Sequence, residues 1–335
     1  DGIKTDCFGS GMAAIGTAIF SLLRPGDHLI SSAFLFGNTN SLFTTFDAHG
    51  IKVTFVDATS ADMVAAAITP ATKMIFVETI ANPRTQVAAL EEIGALCAQK
   101  GIVYVVDNTM TSPYLFQPKN VRASLVVNSL TKYIAGHGNA LGGAITELGL
   151  YDWAQFKNIS QTYRKGDSQL WGITQIRKKG LRDFGAALAP EVAHHIAIGA
   201  ETLALRMQRQ CDNALALTKH LVCHPKIEKV YYPGLSDHPQ HRRSAELFRH
   251  PGAIFSFELN PEVDLWRFLN RLKVVINSTN LGDNRTLAIP VAHTIYFEMG
   301  AERRASMGIK DQLIRISAGI EDLQDLIADL DQALD

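Results

Sequence analysis

Residues 125–133 read Leu-Val-Val-Asn-Ser-Leu-Thr-Lys-Tyr, so an apolar, β-branched run leads directly into a lysine. The run predicts a buried strand that ends in polar residues. A lysine at this place is unusual, because lysines are mostly solvated and are almost never fully buried without a partner. Burial beside a positive charge would lower the pKa of the Lys132 amine and suit it to Schiff-base chemistry. The ordinary alternative is an edge-strand lysine that extends into water.

Groups that can bind a phosphate occur in two segments. Ser129 and Thr131 supply hydroxyl groups just before Lys132. Residues 9–14, Gly-Ser-Gly-Met-Ala-Ala, stand where a loop enters a predicted helix. Backbone N–H groups and the helix N-terminus favour an anion at such a place. The alternative for this segment is a simple helix N-cap by Ser10.

Two charged residues occur within or at the end of apolar runs. Residues 103–109, Val-Tyr-Val-Val-Asp-Asn-Thr, place Asp107 at the carboxyl end of a predicted strand, where α/β enzymes bind ligands. A carboxylate there suits a cofactor with a protonated pyridine nitrogen, or else it caps the following turn. Arg315 stands among the apolar residues of 313–320, where its planar fork fits an amino-acid carboxylate or a structural salt bridge.

The fold class predicted by the hydrophobic pattern is α/β, with a mainly parallel central sheet and a smaller C-terminal α/β domain. Short β-branched runs alternate with helical periodicity over about the first 190 residues, which is typical of βαβ units. The predicted strands are 28–32, 52–56, 74–78, 103–107, 125–128 and 143–146, and the predicted helices are 12–23, 37–49, 61–68 and 90–99.

The second half of the chain predicts a different arrangement. Residues 190–222 predict one long connecting helix, which leads into a smaller sheet with strands 229–232, 253–259 and 313–318. Helices are predicted at 265–272 and 321–334, the latter with Glu321 and Asp322 in its first turn, where the helix dipole favours acids. The expected domains are residues 1–190 and 191–335.

Composition excludes several classes of partner. The 335 residues are 47% hydrophobic and 19% charged, and the formal net charge is −1. This balance is that of a compact soluble protein and gives no reason to expect capture of nucleic acid or anionic lipid. No apolar stretch approaches the roughly 20 residues that a membrane helix needs. The histidines lack partners at ligand spacing, so no metal site is expected.

The cysteines and the first residue bear on location. Cys7, Cys97, Cys211 and Cys223 are scattered and form no CxxC pair, which is typical of reduced cysteines in a cytoplasmic protein. The sequence begins with Asp1 rather than Met, shortly before the segment at residues 9–14. We therefore expect a leader segment to precede residue 1.

The order and spacing of these segments resemble the pyridoxal-phosphate (PLP) dependent transsulfuration enzymes, a family that includes cystathionine γ-synthase, the γ-lyases and the O-acylhomoserine sulfhydrylases. The resemblance covers essentially the whole chain. Its segments are Ser10-Gly11-Met12, residues 78–83, Val106-Asp107-Asn108-Thr109, Ser129-Leu130-Thr131-Lys132-Tyr133, Gly136-His137-Gly138, residues 201–206, residues 231–235 with His238-Pro239, residues 280–283 and residues 315–322.

The resemblance implies the fold of the aspartate-aminotransferase-like (fold type I) PLP enzymes and a role for each matching residue. Lys132 would carry PLP as a Schiff base and later move protons on the substrate, and Asp107 would pair with the pyridine nitrogen. The other residues implied at the cofactor are Ser10, Gly11, Met12, Ser129 and Thr131 at the phosphate, Phe36 on the ring and Asn82 near the phenolic oxygen. The residues implied at the substrate carboxylate are Arg315, Asn280 and Leu281.

Three departures from the family pattern affect the substrate. Many members have a Tyr-Gly pair whose ring stacks on PLP and whose hydroxyl transfers protons, whereas this chain has Phe36-Gly37, as in the O-succinylhomoserine branch. Residues 136–143 and 181–185 are more similar to the O-acetylhomoserine sulfhydrylases. Residues 289–295, Ile-Pro-Val-Ala-His-Thr-Ile, replace a common His-Pro-Ala run.

These observations lead to γ-replacement on an O-acylhomoserine by a sulfur nucleophile as the expected reaction. The alternatives are γ-elimination, as in methionine or cystathionine γ-lyase, and a non-catalytic PLP-binding regulator on the same fold. The expected partners are a small amino-acid substrate, a sulfur nucleophile and further copies of the chain. The resemblance implies a homotetramer in which a segment before residue 1 contributes to the phosphate site of a neighbouring subunit.

Overall fold

A computed structural model describes residues 2–335, except for the side chains of residues 303 and 306. Packing divides the chain into two compact units. Unit 1 comprises residues 1–79, 88–131 and 139–197, and unit 2 comprises residues 80–87, 132–138 and 198–335. Two short segments, residues 80–87 and the Lys132-containing residues 132–138, thus pack with the second half of the chain. The expected domain boundary near residue 190 stays a prediction.

Unit 1 is built on a seven-stranded sheet in the order β1-β7-β6-β5-β4-β2-β3. The strands from β3 to β6 in this order are parallel, and β7 and β1 are antiparallel at one edge. The strands are β1 Lys4–Phe8, β2 His28–Ser32, β3 Lys52–Val56, β4 Thr72–Glu78, β5 Val103–Asp107, β6 Leu125–Ser129 and β7 Gly143–Glu147.

Helices connect and follow these strands, and the last of them continues past residue 197 into unit 2. They are α1 Gly11–Leu22, α2 Gly37–Ala48, α3 Ala61–Ala66, α4 Leu90–Lys100, α5 Ser112–Leu115, α6 Trp171–Gln175, α7 Arg182–Phe184 and α8 Pro190–Glu201. A sheet covered on both faces needs largely apolar strands, and β4, β5 and β6 each contain a continuous apolar run for that reason. Each run is followed by a polar end, so Glu78, Asp107 and Ser129 all lie at the carboxyl edge of the sheet.

Unit 2 contains a five-stranded sheet in the order β10-β11-β12-β9-β8, antiparallel except for the pair β10–β11. Its strands are β8 Ile227–Tyr231, β9 Ile254–Leu259, β10 Ile276–Asn277, β11 Leu287–Pro290 and β12 Leu313–Ser317. Its helices are α9 Leu203–Val222, α10 His241–Leu247, α11 Leu265–Arg271, α12 Ala301–Ser306 and α13 Leu323–Leu334. Apolar residues of α9, α11 and α13 form one core with β9 and β12.

The α/β class and the mainly parallel sheet are confirmed, and two element predictions are wrong. The expected single helix over residues 190–222 is two helices, with Thr202 between them at φ −103° and ψ 7°. The last helix begins at Leu323 rather than at residue 321, because the Asp322 side chain accepts the N–H of Gln324 as an N-cap. Glu321 therefore precedes that helix. Strands β1, β10 and β11 were not predicted.

Candidate active site

Two acids, the buried Glu78 and the partly buried Asp107, end neighbouring strands of unit 1. Glu78 on β4 lies opposite Asp107 on β5 in the parallel register. The Asp107 carboxylate accepts the N–H of Thr109 at 2.9 Å, as a turn cap would. Burial raises the pKa of Asp107, and the hydrogen bonds from Thr109 oppose that shift. Glu78 was not among the residues predicted for the site. Its sequence signal was an acid at the end of an apolar strand, but only the register places it beside Asp107.

The residues expected at the phosphate form one group at the N-terminus of α1. A Cβ atom at Gly11 would lie 3.0 Å from the Cβ atom of Ser129, so the helix start and the end of β6 are in direct contact. Thr109 links this group to Asp107, because its hydroxyl oxygen accepts the N–H of Ser129 at 2.8 Å. Met12 follows Gly11 in the first turn and is partly buried.

The three hydroxyl residues expected at the phosphate make different hydrogen bonds. The Ser10 hydroxyl accepts the N–H of Ala13 at 3.0 Å, so Ser10 is an N-cap, the alternative that its sequence left open. The Thr131 hydroxyl donates to the carbonyl of Gly142 at 3.2 Å and accepts the N–H of the same residue at 3.0 Å. Within residues 2–335, the Ser129 hydroxyl makes no hydrogen bond, so it is available to a ligand.

Lys132 follows Thr131 in the chain and packs in unit 2. Its ammonium group donates to Oδ1 of Asn280 at 2.7 Å. Burial, and then the positive charge of Arg315, lower the pKa of Lys132 to about 8. Gly282 has a φ of +73°, and a Cβ atom there would lie 2.6 Å from the backbone N of Tyr133. Glycine thus lets the loop that carries Asn280 pack directly on the lysine segment.

Arg315 on β12 is buried and has hydrogen-bond donors that are not used within the described residues. Its side chain is 1% exposed, and its Nη2 donates to the carbonyls of Thr279 at 3.1 Å and Asn280 at 2.8 Å. Its Nε and Nη1 are buried and have no hydrogen-bond partner among the described residues. Burial lowers the pKa of Arg315 to about 10. A buried guanidinium group with two unused donors is a seat for a planar anion.

Asn82 and Leu281 also lie in unit 2. The Asn82 side chain is 2% exposed, and neither its oxygen nor its nitrogen has a partner within residues 2–335. Its backbone carbonyl accepts the hydroxyl of Tyr296. Leu281 is buried beside Asn280 in the chain. The amide of Asn82 is therefore a second group that is available to a polar ligand.

Arg206 on α9 lies in residues 201–206, one of the segments shared with the family. The resemblance implied no role for it. Its guanidinium donates to the carbonyls of Tyr133 at 2.7 Å, Ile134 at 3.1 Å and Gly199 at 2.7 Å. Two of these carbonyls belong to the segment after Lys132, so the buried guanidinium ties that segment to the helix residue Gly199. The sequence carries no signal that distinguishes Arg206 from Arg209 in the same amphipathic helix.

Comparison with known proteins decides the family. The family model described as "Cys/Met metabolism PLP-dependent enzyme" matches residues 1–335. The chain belongs to that family. A methionine γ-lyase of Fusobacterium nucleatum subsp. polymorphum is 37% identical, with 97% of this chain and 78% of that protein covered. An O-acetyl-L-homoserine sulfhydrylase of Leptospira meyeri is 34% identical, with 99% of this chain and 80% of that protein covered.

A solved structure shows the same fold with the cofactor attached. A putative O-acetylhomoserine (thiol)-lyase of Campylobacter jejuni, described with a pyridoxyl-lysine phosphate, superposes with a TM-score of 0.93 at 31% identity. The match covers 99% of this chain and 83% of that one. The chain is thus a PLP-dependent enzyme of fold type I. Taken unit by unit, the unbonded Ser129 hydroxyl beside Gly11 in unit 1 fits a phosphate. In unit 2, the vacant donors of Arg315 fit a carboxylate, and the unpartnered amide of Asn82 fits a polar group of a cofactor.

Other kinds of site find no support in the described residues. Within residues 2–335, no group of three or more His, Cys, Asp or Glu side chains could hold a metal ion. The helices of the described chain include none that is long and apolar enough to cross a bilayer.

Proposed function

We propose that the enzyme catalyses γ-replacement on an O-acylhomoserine, with O-succinyl- or O-acetylhomoserine as substrate and a sulfide or thiol as nucleophile. The reaction type is that of the O-acylhomoserine sulfhydrylases and cystathionine γ-synthase. The single observation that carries this choice is Phe36, which stands where many members of the family have tyrosine.

Lys132 is proposed as the residue that binds PLP and as the base. When bound, PLP supplies an electron sink that allows protons to leave the substrate carbons near its point of attachment. The lowered pKa of Lys132, about 8, leaves a useful fraction of neutral amine near neutral pH. Asn280 Oδ1, at 2.7 Å from Nζ, would hold the amine whenever it is not bound to the cofactor.

Asp107 is proposed to bind the cofactor, and Arg315 is proposed to bind the substrate. Asp107 keeps the pyridine nitrogen protonated from the edge of the sheet. Arg315 binds the substrate carboxylate through Nε and Nη1, the two donors that no described residue uses. Asn280 connects this role to Lys132, because its carbonyl accepts from Arg315 at 2.8 Å while its side chain accepts from Lys132.

Phe36 favours a carboxylate as the leaving group. An alkyl thiolate is a poor leaving group and benefits from an acid near the γ-carbon, and general acid help is typically worth about 10²–10⁴ in rate. An acyloxy group leaves as a carboxylate, whose conjugate acid is far stronger, so it needs much less assistance. Phenylalanine can stack on a ring but cannot donate a proton.

A γ-lyase is the second candidate, and its support is the sequence identity to known methionine γ-lyases. Methionine γ-lyases of Fusobacterium nucleatum and Pseudomonas putida are 37% and 36% identical to this chain, slightly more than the sulfhydrylase of Leptospira meyeri at 34%. A non-catalytic PLP-binding regulator has less support, because a scaffold has no use for the two vacant donors of Arg315.

A product assay separates these candidates. The purified enzyme is given O-succinylhomoserine, O-acetylhomoserine, cystathionine or methionine, each with and without sulfide or cysteine. Replacement predicts a new thioether or homocysteine from an acylhomoserine only when the nucleophile is present. Release of 2-oxobutyrate and methanethiol from methionine at comparable efficiency would establish the lyase instead. A yellow protein whose absorption does not change with any of these substrates would favour the regulator.

A homotetramer in the cytoplasm belongs to the same proposal. Leu205 and Leu141 are exposed at 76% and 65%, and in the proposed tetramer such side chains would become buried between subunits. The four cysteines are free, which suits a reducing compartment.

A further inference from the structure

Glu78, which is buried, and Asp107, which is partly buried, form an acidic pair of which the proposed reaction uses only one member. They end the parallel strands β4 and β5 and lie opposite each other in register. Residues paired in this way project to the same face of a sheet, side by side. Glu78 is 8% exposed and Asp107 is only partly exposed, so water screens the repulsion between the two carboxyl groups weakly. Like charges that share a buried site cannot both persist, and one group stays protonated.

Hydrogen bonding decides which member carries the charge. The carboxylate of Asp107 accepts the N–H of Thr109 at 2.9 Å. The Thr109 hydroxyl oxygen is an acceptor for the N–H of Ser129, so its own proton is free to bond Asp107 as well. Both bonds favour the ionised form of Asp107. Burial and then the Asp107 charge raise the pKa of Glu78, opposed only by the bond from Phe36.

Glu78 also fixes the residue that distinguishes this chain from many relatives. Its Oε1 accepts the backbone N–H of Phe36 at 2.9 Å. Phe36 directly precedes α2, and that helix start has no side-chain cap. The bond therefore fixes the backbone from which the Phe36 ring projects. A neutral carboxylic acid can do this through its carbonyl oxygen while its hydroxyl oxygen keeps the proton.

We propose that Glu78 is a positioning residue that acts as a neutral carboxylic acid: it holds the Phe36 backbone and leaves the negative charge of the pair on Asp107. The inference rests on the proposed function to the extent that Asp107 serves the pyridine nitrogen of PLP. In this assignment the side chain of Glu78 stays protonated throughout turnover. A neutral side chain that accepts the Phe36 N–H can therefore replace it.

Infrared difference spectroscopy at neutral pH tests the location of the proton. Wild-type minus Glu78→Gln spectra are recorded on the PLP-loaded enzyme and on the PLP-free protein. We expect the C=O stretch of a carboxylic acid, shifted in D₂O, to be present in the wild type and lost in the variant. A lost carboxylate band in its place overturns the inference. Neither band depends on turnover, so a present acid band without acylhomoserine conversion would contradict the proposed reaction alone.

A pair of substitutions tests the positioning role. Glu78→Gln keeps an acceptor for the Phe36 N–H, whereas Glu78→Leu is similar in size and leaves that buried donor without one. An unsatisfied buried donor is expected to lower kcat/KM of Glu78→Leu at least about tenfold below that of Glu78→Gln. PLP affinity, measured by fluorescence titration, should fall in the same order. Equal losses in both variants, or no loss in either, would overturn the positioning role.

Discussion

Arg315 shows how one residue can reveal a ligand by what it does not bond. Its Nη2 is fully used by two backbone carbonyls, which orients the guanidinium plane, while Nε and Nη1 have no partner within residues 2–335. A buried donor is rarely left unsatisfied in a working protein. The sequence predicted the arginine from its apolar neighbours. The vacancy could not be predicted, because it depends on the loop that carries Thr279 and Asn280.

Substituting Arg315 should separate substrate binding from cofactor binding. In Arg315→Ala we expect KM for the acylhomoserine to rise about 10- to 100-fold, which corresponds to lost hydrogen bonds to a charged group. Arg315→Lys keeps the positive charge but loses the bidentate geometry of the guanidinium. Its KM should therefore lie between those of Arg315→Ala and the wild type. Steady-state kinetics and the PLP absorption spectrum are the measurements. A variant that loses PLP while its KM is normal would contradict the carboxylate role.

The residue at position 36 should decide between replacement and elimination. In the wild type we expect kcat/KM for an acylhomoserine plus sulfide to exceed that for methionine elimination by about a hundredfold or more. Phe36→Tyr should narrow this gap by raising lyase activity, and Phe36→Leu, which also lacks a hydroxyl, should not. Product release is measured for both substrates with each protein. A wild-type enzyme that releases methanethiol as efficiently as it consumes acylhomoserine would refute this role of Phe36.

At the scale of elements, the start of α1 is sensitive to added side-chain volume. Gly11 has space for no Cβ atom without displacing Ser129, whose Cβ and Oγ would be 3.0 and 3.2 Å away. Gly11→Ala should therefore weaken PLP binding about tenfold or more. Gly16→Ala on the same helix is the matched control, because its Cβ would meet only Leu42 at an ordinary 3.7 Å.

Fluorescence titration with PLP and thermal denaturation compare the two variants. Gly16→Ala should bind PLP as the wild type does and melt at a higher temperature, since alanine favours helix more than glycine. If Gly11→Ala binds PLP with wild-type affinity, the start of α1 is not the phosphate seat.

The sequence predicted the parallel strands well, because continuous apolar runs bounded by turn residues allow few alternatives. Predicted strands 28–32, 52–56 and 103–107 match β2, β3 and β5 residue for residue. β1, Lys-Thr-Asp-Cys-Phe, was missed because an edge strand is held by backbone pairing with β7 rather than by its own hydrophobic pattern. The break at Thr202 was missed because it depends on Arg206, which bonds the Thr202 hydroxyl and the Gly199 carbonyl.

At the scale of the whole molecule, the site residues fall into two packing groups that no local pattern separates. Asp107, Ser129 and Gly11 pack in unit 1, and Lys132, Asn82 and Arg315 pack in unit 2. The motif that contains Ser129 and Lys132 is continuous in sequence but is divided after Thr131. Family resemblance named all of these residues. The structure adds roles for Glu78 and Arg206, because their hydrogen-bond partners are distant in the sequence.

The assembly predicted for the enzyme is a homotetramer. Exposed apolar residues such as Leu205 and Leu141 are expected to become buried between subunits. Light scattering at the assay concentration should give four times the mass of one chain, and Leu205→Glu should reduce that mass if this residue lies in an interface. A monodisperse monomer with full activity would disprove the predicted assembly.

The central claim is that Lys132 binds PLP, and peptide mapping after borohydride reduction tests it most directly. Reduction makes the link between a lysine and PLP permanent, so mass spectrometry can locate the pyridoxyl group. We predict the group on the peptide that contains Lys132, and neither that label nor turnover in Lys132→Ala. A pyridoxyl group on another lysine, or wild-type turnover by Lys132→Ala, would contradict the account.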